Sequence, residues 1–216
     1  AEKAALLAAN PTRGGAGQAA STVAAAADST RYMRAVRYSL PALVQGLAVN
    51  VTHAYGTVQT ATASAAGNTQ GIDANYTVGA LKLTGAYAKA GADVGSDKSG
   101  TLTTVGAVYN LGFASVAAGV QSEKASGTAL TFSKADAYAL TALFPMGAAT
   151  PYVKYGQRKY SGGSYGDVTT AKVANVGVRF ALSPRTYLYG DYVTNSATVT
   201  GTAQKNMTSA GLVHSF

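Results

Sequence analysis

Apolar and polar positions alternate along most of this chain with a period of two. Ala114, Val116, Ala118 and Val120 interleave with Ser115, Ala117, Gly119 and Gln121. Val176, Val178, Phe180 and Leu182 interleave with Asn175, Gly177, Arg179 and Ala181. Tyr138, Leu140, Ala142 and Phe144 alternate with Ala139, Thr141 and Leu143, a weaker contrast. Successive side chains of a strand point to opposite sides, so this period predicts strands with one apolar face and one small or polar face. From Arg31 onward about eleven strands are expected, at roughly 31–40, 47–56, 70–78, 80–90, 101–110, 112–122, 134–145, 149–160, 169–182, 185–195 and 206–216.

The connections alternate as well. Tight turns are expected near Thr77–Ala80, Asn110–Gly112, Pro145–Ala149 and Ser183–Arg185. Longer polar segments fall near Thr57–Thr69, Ala92–Ser99, Glu123–Ser133, Ser161–Thr170 and Ser196–Asn206. Short turns at one end and long loops at the other are the habit of transmembrane β-barrels, whose tilted strands need about 9–11 residues to cross. Tyr38, Tyr55, Tyr76, Tyr87, Tyr109, Tyr155 and Tyr192 lie near the predicted strand ends, where aromatic girdles meet the lipid–water boundary. Tyrosine is also simply common in strands, which is the plainer account. Residues 1–30 break the pattern: a short helix-forming run ends at Pro11 and a Gly/Ala segment follows, which reads as a loop or helix-bearing insert ahead of a barrel at 31–216.

Composition supports a membrane setting. Of 216 residues 47% are hydrophobic but only 12% are charged, with 25 Gly, 14 Tyr and 5 Phe. Soluble domains carry about a quarter charged residues. No run approaches the length of a transmembrane helix, and no basic-led apolar leader opens the chain. Cysteine is absent, which removes disulfides and thiolate metal sites. The formal charge of +8 fits nucleic acid, an anionic membrane surface or an anion pathway, and composition does not choose among them.

The last strand, Asn206-Met-Thr-Ser-Ala-Gly-Leu-Val-His-Ser-Phe216, places Ala210, Leu212, His214 and Phe216 on one face and ends on an aromatic. It resembles the terminal strand of Gram-negative porins, which in that family is the recognition signal for barrel assembly. Val36-Arg37-Tyr38-Ser39-Leu40-Pro41 resembles the porin strand after the constriction loop. Thr150-Pro151-Tyr152-Val153-Lys154-Tyr155 is similar to a later strand. Val176–Thr186 looks like the hairpin before the final strand, with Pro184 where the family has lysine. The ordered set is closest to the trimeric general porins of the neisserial and burkholderial type. That resemblance implies a sixteen-stranded barrel in a Gram-negative outer membrane, a homotrimer, and contact with membrane lipid and lipopolysaccharide. It also makes Arg31–Leu40 look like a sixth strand, with residues 1–30 where the constriction loop belongs. The first five strands are then supplied from outside this sequence, or else the barrel closes with an odd count.

A pore selects by charge and width. Parity puts Arg31 and Arg37 on the inward face, because Val36 and Tyr38 point out. Lys82, Lys154, Arg158 and Arg179 are inward by the same rule, each lying beside apolar neighbours of the other face. The resembling porins line one wall with a basic ladder, which Arg31 and Arg37 match best; each cation can equally be solvating the lumen or paired locally. Parity sends Arg34 outward. Arg31, Arg34 and Arg37 also have helical spacing, but Pro41 and the strand-rich flanks oppose a nucleic-acid-binding helix. Gly162-Gly163-Ser164-Tyr165-Gly166 matches the G-x-S-x-G nucleophile pattern, with Asp191 and His214 following in order. That elbow needs a buried strand before it and a helix after it, and here it falls in a polar loop. His53 and His214 alone make no metal site, and no cofactor is expected. The expected activity is passive diffusion of small hydrophilic solutes, preferring anions, with no enzyme chemistry; the alternative is a structural or partner-binding barrel with a plugged pore.

Overall fold

The computed structural model describes residues 35–42, 44–55, 68–91, 99–127, 133–163, 169–197 and 206–215. Residues 1–30, Arg31, Arg34, Ser164 and Phe216 lie outside them, so the expectations placed there are not addressed by the structure. Eleven strands form among the described residues: β1 (Ala35–Ser39), β2 (Leu47–Ala54), β3 (Thr69–Val78), β4 (Leu81–Ala90), β5 (Ser99–Asn110), β6 (Ser115–Ser126), β7 (Lys134–Leu143), β8 (Ala149–Ser161), β9 (Thr169–Ser183), β10 (Thr186–Ala197) and β11 (Asn206–His214). They form one antiparallel sheet in which each strand pairs with its neighbours in sequence, from β1 to β11. The all-β expectation holds, and the described sheet has edges at β1 and β11.

Register divides the side chains cleanly. Val105, Val120 and Tyr138 form one cross-strand row, and Leu83, Ala107, Ala118, Leu140 and Tyr155 form the next. Val153, Val176 and Tyr192 continue this apolar face across β8–β10. Its large side chains are exposed, Val120 at 56% and Leu140 at 53%. The opposite face holds the small and buried residues, among them Ala117, Ala125, Ala135 and Ala139, together with the buried polar Asn50, Glu123, Thr141 and Arg158. This arrangement inverts that of a soluble domain. Covering an exposed Val or Leu is worth roughly 1.5–3 kcal/mol, and an apolar surface of this extent calls for hydrocarbon or another protein surface against it.

The short connections lie at one end of the sheet. Gly79 and Ala80 join β3 to β4, and Pro184 and Arg185 join β9 to β10. Between β1 and β2, Gly46 has φ 82°, and a Cβ there would stand 2.2 Å from the Thr77 carbonyl oxygen. Only glycine lets this turn lie so close to the end of β3.

Two details depart from the sequence reading. β6 spans Ser115–Ser126 rather than 112–122, so Glu123–Ser126 is strand and Leu111–Ala114 is turn. Tyr155 and Tyr192 sit in the middle of β8 and β10, not near their ends. They align with Tyr87 and Tyr138 all the same. Going from β4 to β10, each of these tyrosines occupies a row nearer the short turns than the one before. Such a diagonal is what strand tilt makes of a level line around a barrel.

Candidate functional site

The face opposite the apolar belt carries three polar clusters. On β1–β3, one Arg37 Nη donates to both Asp73 carboxylate oxygens at 3.1 Å. Asn50 Nδ2 also donates to Asp73, at 2.8 Å, and Ser39 Oγ donates to Asn50 Oδ1 at 2.7 Å. Arg37 is therefore tied to an acid rather than standing as a lone cation. Half-exposed as it is, the pair itself contributes little, on the order of 1 kcal/mol or less.

The second cluster bridges β6 and β8. Arg158 Nη donates to Glu123 Oε2 at 2.5 Å, with side chains only 7% and 1% exposed. Between them β7 offers Ala135, the partner of Glu123, and Ala137, the partner of Arg158. Two small side chains leave room for the longer ones to meet above the strand. The Tyr160 ring lies 5.0 Å from the Arg158 guanidinium and closes the cluster.

The third cluster lies on β8–β11. Lys154 Nζ is 5.0 Å from the Tyr152 ring centroid; the Arg179 guanidinium is 5.8 Å from the same ring and 5.6 Å from that of Tyr187. Asp191 accepts from Asn175 Nδ2 at 3.2 Å and from Ser209 Oγ at 2.9 Å. These two cations rest on ring faces, an attraction worth about 0.5–2 kcal/mol that leaves their charge in place. Tyr152 lies across Gly177, its β9 partner, where a Cβ would come within 2.6 Å of the ring and 2.7 Å of Asp191 Cβ. Gly177→Ala is expected to cost about 1–3 kcal/mol by overpacking, read as a lower unfolding midpoint. An unchanged midpoint would mean that Tyr152 swings aside freely.

Of the basic residues singled out from sequence, the structure places Arg37, Lys82, Lys154, Arg158 and Arg179 on this one face. It brings only Lys154 and Arg179 together, at Tyr152. The acids Asp73, Glu123 and Asp191 lie on the same face; the sequence reading gave none of them a place in the lumen, naming Glu123 only as the start of a loop and Asp191 only beside the hydrolase pattern. Parity would have found Asp73, beside Ile72, and Asp191, beside Tyr192. Leu212 and His214 share the apolar face; His214 Nδ1 lies 2.8 Å from Thr186 Oγ1 across the final hairpin. Asp191 and His214 therefore stand on opposite faces, which is incompatible with a hydrolase arrangement between them. No group of three or more potential metal ligands occurs among the described residues.

A family model described as Gram-negative porin matches residues 3–200. No curated protein sequence matches the chain. Among solved structures, the anion-selective porin from Comamonas acidovorans is similar at a TM-score of 0.67 and 25% identity, over 83% of this chain and 54% of that one. OmpT, an outer membrane protein of Vibrio cholerae, is similar at a TM-score of 0.66 and 14% identity, over 83% of this chain and 63% of that one. Salmonella typhi OmpF, solved with daunomycin, gives 0.67 and 16% identity over 83% and 60%. The last two likenesses are of fold. This chain thus matches 54–63% of the length of these structures.

Proposed function

We propose that this chain, which belongs to the Gram-negative porin family, forms much of the wall of an outer-membrane pore that passes small hydrophilic solutes and favours anions. The observation that carries the reading is the opposition of the two faces: among the described residues, an exposed apolar belt lies on one and both buried charges, Glu123 and Arg158, lie on the other. A barrel wall between lipid and a watered lumen needs that division. Thr141 Oγ1, Asn175 Oδ1 and Asn195 Oδ1 on the polar face have no hydrogen-bond partner among the described residues, a costly state unless water reaches them. The edges β1 and β11 must also be paired, since open strand edges are not tolerated in hydrocarbon. Assembly as a trimer goes with the same reading.

Anion preference rests on the lumen charges and not on the net +8 of the whole chain. Arg37, Lys82, Lys154, Arg158 and Arg179 outnumber Asp73, Glu123 and Asp191 on the polar face. Arg37 and Arg158 are bonded to acids, whereas Lys154 and Arg179 gather at the Tyr152 ring and supply the field that a passing ion meets there. Reversal potentials in planar bilayers under a potassium chloride gradient should show chloride more permeant than potassium. The Lys154→Glu/Arg179→Glu variant should lower that ratio severalfold or invert it. Cation preference in the unaltered protein would end the anion reading.

A further inference from the structure

Three tyrosines gather on the polar face of β8–β10, within a few residues of the short turns. Tyr152 lies across Gly177 on β9, as described above. Tyr189 lies likewise across Gly211, its partner on β11, where a Cβ would come within 2.7 Å of the ring. Two glycines at wall positions thus let two rings lie along the sheet instead of standing into the lumen. Tyr187, one row nearer the turn, sets its ring 5.6 Å from the Arg179 guanidinium. Tyr152 is buried, whereas Tyr187 and Tyr189 are half-buried and keep part of their surface open.

Charge is set among these rings. Arg179 is exposed, touches the rings of Tyr152 and Tyr187, and is the direct cross-strand partner of Tyr189. Among the described residues neither Arg179 nor Lys154 makes an ion pair. Asp191, the acid of this cluster, is engaged instead by Asn175 and Ser209. Two cations against one acid leave a single positive charge, which suits a monoanion better than a dianion. Thr141, the β7 partner of Lys154, is 4% exposed, and its Oγ1 has no hydrogen-bond partner among the described residues. A guanidinium whose faces meet rings still donates in its own plane, and a carboxylate matches that edge with two parallel hydrogen bonds. Arg179 and Tyr189 stand one interstrand spacing apart, about 4.8 Å. A carboxyl group bonded directly to a flat ring spans that distance, with the carboxylate on Arg179 and the ring on Tyr189.

We propose that this shelf of Tyr152, Tyr187 and Tyr189 around Arg179 and Lys154 is a binding subsite for aromatic monocarboxylates. The proposal rests on the pore reading above, since it requires this face to be watered. It adds a class of solute that positive charge alone does not specify.

The test is saturation-transfer NMR of the intact full-length protein in detergent near neutral pH, with benzoate, cyclohexanecarboxylate and phthalate as probes. Benzoate should bind roughly three- to tenfold more tightly than cyclohexanecarboxylate, the margin of an offset ring pair. It should also bind more tightly than the dianion phthalate. Tyr189→Leu should erase the margin over cyclohexanecarboxylate, and Tyr189→Phe should keep it. Arg179→Gln should weaken both monocarboxylates about tenfold or more, the loss of a charge-assisted hydrogen bond. Equal binding of benzoate and cyclohexanecarboxylate by the unaltered protein would overturn the proposal, as would a margin that survives Tyr189→Leu or a preference for phthalate. If Tyr189→Leu does not fold, protein labelled with fluorotyrosine replaces it. Benzoate should then shift the fluorine resonance that Tyr189→Phe removes, and no shift there would overturn the subsite. Conductance of the same samples is read separately: benzoate binding without conductance removes the pore, and conductance without Tyr189-dependent binding removes the subsite.

Discussion

Glu123→Ala should lower the unfolding free energy by about 3–5 kcal/mol, more than any other single truncation on the polar face. The reason is not that the Arg158–Glu123 bond is strong in itself. Drawing two charges out of water costs several kcal/mol each, and their attraction at 2.5 Å does little more than return that cost. Truncating Glu123 leaves Arg158, 7% exposed, without the carboxylate that Glu123 supplies. Removing both charges should be much milder. In Glu123→Met/Arg158→Leu, similar volume fills the space over Ala135 and Ala137, and the double variant should recover most of the loss. Urea unfolding of the detergent-folded protein, followed by the shift between folded and unfolded gel mobility, measures both. A single variant within about 1 kcal/mol of the parent would show that lumen water screens this pair as it screens surface ones.

Much of the fold was legible because strand periodicity and short turns are local signals. β7 and β8 begin where the alternation places them, at Lys134 and Ala149. β6 was misplaced for a reason its residues show. Leu111 and Phe113 are apolar enough to pass for strand, yet they lie in the turn. Glu123-Lys-Ala-Ser126 is polar enough to pass for loop, yet it keeps the alternation, with Glu123 and Ala125 on one face and Lys124 and Ser126 on the other. Past the apolar belt the outward side chains are polar and the inner face holds the buried Glu123, so the strand loses its apolar contrast. The site was legible only as a face. Parity gives the side of a residue but not its height, which depends on stagger between strands and so on pairings that one sequence does not display. Arg37 meets Asp73, 36 residues on, and Arg158 meets Glu123, 35 residues back. Neither meeting leaves a local trace, and both change the meaning of the cation. Stagger likewise hides why mid-strand Tyr155 and Tyr192 belong to one interfacial line with Tyr87 and Tyr138.

Leu140→Arg is the direct test of which side meets lipid. Leu140 lies on the exposed apolar face, one row toward the short turns from Tyr138 and paired with Ala118 and Tyr155. Tyr138 marks the loop-side boundary on the same strand, so Leu140 lies inside the hydrocarbon. An arginine at mid-depth on the lipid face of a barrel costs about 2–4 kcal/mol. Thr104, central in β5, shares the polar face through its partner Gln121. Thr104→Arg adds the same side chain to the watered side and should cost less than about 1 kcal/mol. Chemical unfolding of both variants in lipid vesicles and in detergent separates the environments. The Leu140→Arg penalty should shrink in detergent micelles, whose surface lets a long side chain reach water more easily. Equal small losses in both variants would mean that the exposed apolar face of β7 is not against lipid, and would point instead to burial against another subunit. Equal large losses would say that the polar face is packed and dry, which is the arrangement a plugged barrel requires and an open pore forbids.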